Sequence, residues 1–238
     1  MPPKPHIPNT RTPFQAFSLI EMLVVIGIVG VLFLLAIPSV KTIQERSKAA
    51  KCASNIRSVG STLLVAAREQ GPTFNVWYSG STGAMWNTML IVDGYLTRGE
   101  LKALSCPSIP YTDASGSISG RHYGIYMGDP EGKVEPAVNE LGQLGLVYKV
   151  NVRNHPSPAK GIFLVDSVTK AGIPSVRVFP GGESLAAGGI HARHNNLANL
   201  FFLDGHVEAA SESRMYELGV RKIYTQAGTA KDLARPQP

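Results

Sequence analysis

Ala16-Phe17-Ser18-Leu19-Ile20-Glu21-Met22, running straight into the apolar residues 23–37, decides the architecture. Glu21 is the one charge in that stretch, and from residue 22 to residue 40 no charged side chain occurs. At about 1.5 Å of rise per residue, a helix over this run spans roughly the ~30 Å hydrocarbon layer of a bilayer. A carboxylate at that depth costs on the order of 2–3 kcal/mol, so it calls for a partner and a function. The rest of the chain is polar enough for a water-soluble head. The length suits one modest domain plus a membrane helix.

The order of features is not that of a secretory signal, in which a small-residue cleavage site follows the apolar core. Here the small residue Ala16 precedes it. A cut before Phe17 leaves the helix on the mature protein and creates an α-amine with a reference pKa of about 8. Glu21 lies four residues on, within reach of an ion pair with such an amine.

The string Phe17-Ser18-Leu19-Ile20-Glu21-Met22-Leu23-Val24-Val25-Ile26 resembles the N-terminal processing and methylation signal of type IV pilins and type II secretion pseudopilins. The resemblance implies that a prepilin peptidase/N-methyltransferase cuts between Ala16 and Phe17 and methylates the Phe17 amine. Glycine is the commoner residue where Ala16 stands. It also implies that Glu21 pairs with the amine of a neighbouring subunit during assembly; the alternative is a glutamate snorkelling at the surface of an ordinary signal anchor. Pro38 matches a proline common in the family, where it loosens the helix; the alternative is a helix stop. Lys4 and Arg11 place the leader on the cytoplasmic side, although Lys41, Arg46, Lys48, Lys51 and Arg57 crowd the other flank. Charge counting alone favours the opposite orientation, and the cleavage chemistry of the motif decides for the leader inside.

The expected fold is α+β and pilin-like: a long N-terminal helix, half in the membrane and half amphipathic, packed on an antiparallel β-sheet head. The divisions are a leader at 1–16, a transmembrane helix at 17–40, an amphipathic stem helix at 41–71, a globular head at 72–210, and a terminal helix with a mobile tail at 211–238. Ile43, Ala50, Ala53, Ile56, Gly60, Leu63 and Ala67 step by three, four or seven and define the apolar face of the stem. Gly71-Pro72 ends it.

In the head, residues 73–84 and 111–120 read as loops and 85–92 as a short helix closed by Asp93-Gly94. Strands are predicted at 123–127, 145–150, 161–166 and 175–179. Gly181-Gly182 and Gly188-Gly189 read as a flexible loop, not a phosphate cradle, because no Gly-Lys-Ser/Thr follows. Residues 199–208 predict a hairpin, with Asp204-Gly205 as a type I′ turn that needs positive φ at both central positions. Residues 211–220 suggest a terminal helix, and 226–238 a polar mobile tail.

His194, nine intervening residues and Asp204-Gly205 resemble the C-terminal His-x9-Asp-Gly signature of a bacterial prepilin-like family. Cys52 with Asn55 and Gly60, Cys106-Pro107-Ser108 and residues 159–166 agree with it. His191, His194, Asp204 and His206, with Asp166, include suitable ligand types for a transition metal, but the structural reading is better: Asp204 supplies the turn and His194 hydrogen-bonds the hairpin or a loop. Too few carboxylates are present for calcium. Cys52 and Cys106 are candidates for a disulfide in an exported domain, or for two separate buried thiols; neither CxxC nor Cys/His zinc spacing occurs.

The formal charge is +6, and +4 without Lys4 and Arg11. No dense basic stripe with interleaved aromatics marks a nucleic-acid surface, and no Gly-x-Ser-x-Gly elbow marks a hydrolase. The expectation is a structural subunit with no catalytic residue, cofactor or small-molecule substrate. It sits in the bacterial inner membrane as a single-pass protein with a periplasmic head. It joins other pilin-like subunits in a periplasmic pseudopilus, driven by an assembly platform and ATPase. The rivals are a minor pilin that binds a surface or DNA through loops 73–84 and 181–189, and a membrane-anchored metalloprotein using His194 and Asp204.

Overall fold

The structure, a computed structural model, describes residues 18–71, 73–78, 86–97, 99–100, 105–109, 123–128, 133–138, 144–179 and 188–235. Two compact units divide at residue 44, one of residues 1–44 and one of residues 45–238.

Helix α1 (Leu19–Gln70) begins in the first unit. Ser18 precedes it, and Glu21 at the third helical position reaches back to the Ser18 N–H at 2.8 Å, one half of a capping box. From Leu19 to Leu32 the large apolar side chains are exposed on every face of the helix. The helix runs on through Pro38, so that proline is no stop. Side chains of residues 33–40 lie outside the described residues.

In the second unit α1 turns amphipathic. Cys52, Asn55, Ile56, Val59, Gly60, Leu63, Leu64, Ala66 and Ala67 are buried. The expected face was set too far towards the N-terminus: Ile43 is exposed and the buried stripe starts at Cys52. Gly71, with φ of 136°, ends the helix, and the Arg153 guanidinium donates to the Arg68 carbonyl, one of the orphan acceptors of the last turn.

Among the described residues, a three-stranded antiparallel sheet has the order β1-β4-β3, with β1 Thr73–Tyr78, β3 Lys133–Val138 and β4 Leu144–Asn151. The first corrects the expected 73–84 loop. Thr-Phe-Asn-Val-Trp-Tyr is rich in strand formers, but Asn75 interrupts the pattern and the ladder is irregular between Asn75 and Trp77. Residues 79–85 and 111–120 fall outside the described residues. Strand β3 was not predicted because Pro136 demotes it; it is an edge strand, where a proline is tolerated. Helix α2 (Trp86–Val92) matches the expected short helix, and the Trp86 indole N–H donates to the Val176 carbonyl at 3.0 Å.

Among the described residues, an eight-stranded sheet is built on β5 (Ile162–Val168), whose every residue is buried; its apolar run at 162–165 suits a strand covered on both faces. One edge of β5 pairs with β2 (Tyr123–Tyr126); the other pairs first with β8 (Ala198–Phe202) and then with β7 (Gly189–His191). Strand β6 (Arg177–Val178) joins β2 in parallel, and β9 (Val207–Ala210) joins β8. Strand β10 (Lys222–Tyr224) pairs in parallel with β7 and antiparallel with β11 (Ala230–Asp232). The sheet is thus antiparallel-rich rather than wholly antiparallel.

Two expected irregular segments are therefore ordered. Gly188 bridges to Val178 and Gly189 opens β7, and the segment read as a mobile tail contains β11, with Leu233 buried behind it. The Gly189 position needs glycine because a Cβ there would meet the Tyr224 ring at 2.7 Å. Gly181-Gly182 falls outside the described residues. Helix α3 (Glu212–Glu217), capped by Ser211, lies within the expected 211–220 segment.

Alternation along β8 separates two cores. Phe201 joins the stripe of α1, with Phe74, Trp86, Leu90, Tyr123 and Phe163. Leu200 and Phe202 face Ile162, Val165, Ile190, Met215 and Ile223. The hairpin between β8 and β9 is real, but its turn differs from the predicted one. Gly205 alone has positive φ there, 93°, while Asp204 does not. The Gly205 N–H donates to the Phe202 carbonyl and the Phe202 N–H to the His206 carbonyl, the pattern of a three-residue loop closed by a left-handed glycine bulge. The type I′ geometry sits earlier: Asn195 (φ 53°) and Asn196 (φ 62°) are flanked by reciprocal backbone hydrogen bonds between His194 and Leu197.

Candidate functional site

Two sets of residues carry the chemistry of this chain: the N-terminal segment and a polar cluster buried in the head. Of the first, Ala16 and Phe17 fall outside the described residues. Glu21 is described, and its carboxylate already holds the Ser18 N–H. Pro38 lies within α1. Among the described residues no helix is long and apolar enough to cross a membrane; residues 1–17 and the side chains of 33–40 are not among them.

The buried cluster gathers Cys52, Cys106, Asp166 and His194, with one ligating atom of each within 4.8 Å of all the others. Four separate elements supply them. Cys52 opens the buried stripe of α1. Cys106 begins a turn, with Pro107 at its second position, closed by an Ile109 N–H to Cys106 carbonyl bond of 3.1 Å. The Asn55 side chain holds that segment through the Ser105 carbonyl at 2.9 Å. Asp166 lies on β5, and His194 enters the type I′ turn that precedes β8.

The contacts are close. The Cys52 thiol lies 3.3 Å from Asp166 Oδ1 and 3.4 Å from the Tyr123 hydroxyl. His194 Nε2 stands 3.6 Å from Cys106 Sγ and 3.5 Å from Asp166 Oδ2, while Nδ1 faces the Ser108 hydroxyl at 3.5 Å. Asp166 also accepts the Asn199 N–H at 2.8 Å and lies 3.9 Å from Arg193 Nε. Arg193 is buried too, donating from Nη2 to the Ser167 carbonyl at 2.6 Å.

Electrostatics divide the two thiols. Burial pushes Cys52 far above the usual thiol range, with Cys106 and Asp166 adding to it. The contact with Cys52 draws Cys106 down to about 5 against the opposing effect of burial, and His194 and Arg193 assist. For His194, burial acts downwards, but the contacts with Cys106 and Asp166 outweigh it and leave the imidazole raised. His191, buried nearby in sequence on β7, is lowered to about 4, chiefly by burial and then by Arg193.

The predicted histidine–aspartate set is thereby divided. Asp204 pairs with His206 at 2.5 Å on the exposed β8–β9 loop, where Asp204 also accepts the His206 N–H. His194 is buried with the two cysteines and Asp166, and its imidazole contacts the 105–109 segment. No disulfide joins Cys52 and Cys106 in this structure, and the two buried thiols meet in one cluster rather than lying apart. Sequence reading missed the assembly of the four because no two are close in the chain. The available signals were a carboxylate ending the apolar run of β5 and a cysteine on the helical stripe.

Residues 11–37 match the family model of the prokaryotic N-terminal methylation motif. The match does not extend to the His194–Asp204-Gly205 spacing. No curated protein and no solved structure matches the chain. The motif implies cutting by a prepilin peptidase, assembly with other pilin-like subunits, and inner-membrane anchoring with a periplasmic head. An N-terminal methylation motif at the start of a helix that is followed by an antiparallel-rich sheet supports a type IV pilin-like or pseudopilin-like protein and points to a structural subunit rather than an enzyme.

Proposed function

We propose that the chain is a pseudopilin-type subunit of a type II secretion-like system. A prepilin peptidase cuts between Ala16 and Phe17 and the Phe17 amine is methylated. Residues 17–40 then hold the subunit in the inner membrane until an assembly ATPase and platform draw it into a short periplasmic filament. Glu21 pairs there with the Phe17 amine of a neighbouring subunit, and Pro38 loosens the helix for packing.

The observation that carries this reading is the methylation motif at residues 11–37. Two further features support it. No charge occurs from residue 22 to residue 40. The apolar side chains from Leu19 to Leu32 are exposed around the helix, as suits a segment covered by lipid or by like helices.

Mass analysis of the N-terminus from native membranes tests the reading. A chain starting at methylated Phe17 is expected; one that keeps residues 1–16 overturns it. A deletion strain separates secretion from pilus work. Loss of secreted enzymes with surface pili intact is expected, and loss of surface pili with normal secretion would move the subunit to the pilus.

A further inference from the structure

We propose that Cys52, Cys106, His194 and Asp166 form a closed zinc site inside the head, binding one Zn2+ through two thiolates, an imidazole Nε2 and a carboxylate oxygen. The geometry carries it. Zinc takes Cys sulfur at about 2.3 Å, His nitrogen at about 2.0–2.1 Å and carboxylate oxygen at about 2.0–2.2 Å, so the edges of its tetrahedron measure roughly 3.4–3.8 Å. The observed separations are 3.6 Å for Cys106 Sγ to His194 Nε2, 3.5 Å for His194 Nε2 to Asp166 Oδ2 and 3.3 Å for Cys52 Sγ to the other carboxylate oxygen, Oδ1, and one ligand atom from each of the four residues lies within 4.8 Å of all the others, a spread that a small closing of the cluster brings to those edges. Each ligand type is one that zinc accepts, and the mix of sulfur and imidazole excludes magnesium and calcium.

Charge and surroundings fit the same ion. Two thiolates and a carboxylate carry three negative charges; Zn2+ and the buried Arg193 guanidinium balance them. All four ligands are buried, and four protein ligands leave no open position, as in structural rather than catalytic zinc sites. Ser108 at His194 Nδ1, Asn199 N–H at Asp166 and the Tyr123 hydroxyl at Cys52 stand where outer groups orient metal ligands. Binding requires deprotonated ligands, so it is coupled to folding and to pH. The site would fasten the Cys52 end of the buried α1 stripe to the 105–109 segment, to β5 and to the turn before β8.

The test uses the full chain, purified from membranes without chelator and without a histidine tag. Elemental analysis is expected to give about one zinc per chain, the content of a single four-ligand site. Zinc replaced by cobalt is expected to give the visible absorption of a tetrahedral thiolate complex. Cys106→Ser and His194→Gln should lose the metal. Ser108→Ala, which leaves every ligand in place, should weaken zinc roughly ten- to a hundredfold in chelator competition. If the ligand variants fail to fold, the cobalt spectrum of the unsubstituted protein decides. A Cys52–Cys106 disulfide in the native protein overturns the proposal. So do two thiols that react freely and take up neither zinc nor cobalt, or a metal retained by both ligand variants.

Discussion

Gly60 of α1 lies against the ring of Phe201 on β8: a Cβ built on Gly60 would stand 2.6 Å from the ring Cγ and 2.7 Å from both Cδ atoms. The neighbour in question is the root of a fully buried aromatic, not the end of a flexible chain, so it has little room to give. Helix propensity favours alanine over glycine by about 1 kcal/mol, while overpacking a filled core costs about 1–3 kcal/mol. The clash should win. Gly60→Ala is expected to lower the thermal midpoint of the head by several degrees, and Phe201→Leu in the same chain to restore part of the loss. A midpoint that rises in Gly60→Ala would show that helix and sheet approach less closely than this.

Gly205 shows a different demand for glycine. Its φ is 93°, and a Cβ there meets nothing within 4 Å, so any cost of substitution is backbone cost alone. Gly205→Ala is expected to destabilise by roughly 1–2 kcal/mol, the penalty for an L residue in the left-handed region. Asp204→Gly discriminates between the two hairpin geometries. A type I′ turn, with positive φ at Asp204, would tolerate or welcome glycine there. The observed loop instead uses Asp204 as an acceptor for the His206 N–H, so a loss of stability is expected, readable in chemical denaturation.

The two turns also mark what the sequence could and could not reveal. Asp-Gly signalled a hairpin, and the hairpin formed, because a left-handed glycine suits either loop length. The choice between them rested on the register of β8 with β9, which no local pattern carries. Asn195-Asn196 took the type I′ turn instead, and with it set the position of His194. Strand β5 and the α1 stripe were legible from continuous apolar run and helical period. Strands β1 and β11 were not, because their pairing partners, β4 and β10, lie far off or are themselves short. The buried cluster was the least legible feature of all. Its four ligand-type residues come from four elements, and only the packing of α1 on the sheet brings Cys52 to Asp166.

His191 makes the stability of the head depend on pH in a stated direction. Its folded pKa, about 4, lies below the usual 6.5 because burial disfavours the imidazolium. Between those values the unfolded chain binds the extra proton, so stability is complete above about pH 6.5 and falls as the pH drops towards 4, by at most about 1.4 kcal/mol per unit. His191→Gln should flatten that part of the curve relative to the unsubstituted chain. Parallel curves from pH 7 to pH 4 would show that His191 contributes nothing to the acid limb.

Glu21 has two jobs to choose between, and the cap at Ser18 makes them separable. In the single chain its carboxylate accepts the Ser18 N–H at 2.8 Å, the reach-back half of a capping box at the start of α1. In the proposed filament the same carboxylate neutralises the Phe17 amine of another subunit. Glutamine can still accept the Ser18 N–H but carries no charge; alanine can do neither. Were capping the whole role, Glu21→Gln would assemble as well as the unsubstituted chain, and only Glu21→Ala would suffer. Pairing with an amine predicts that both variants insert in the membrane and both fail to enter filaments. Shearing or crosslinking of periplasmic filaments, scored beside membrane fractions, reads the difference. Assembly of Glu21→Gln at normal levels would remove the ion pair from the account and leave Glu21 as a helix cap.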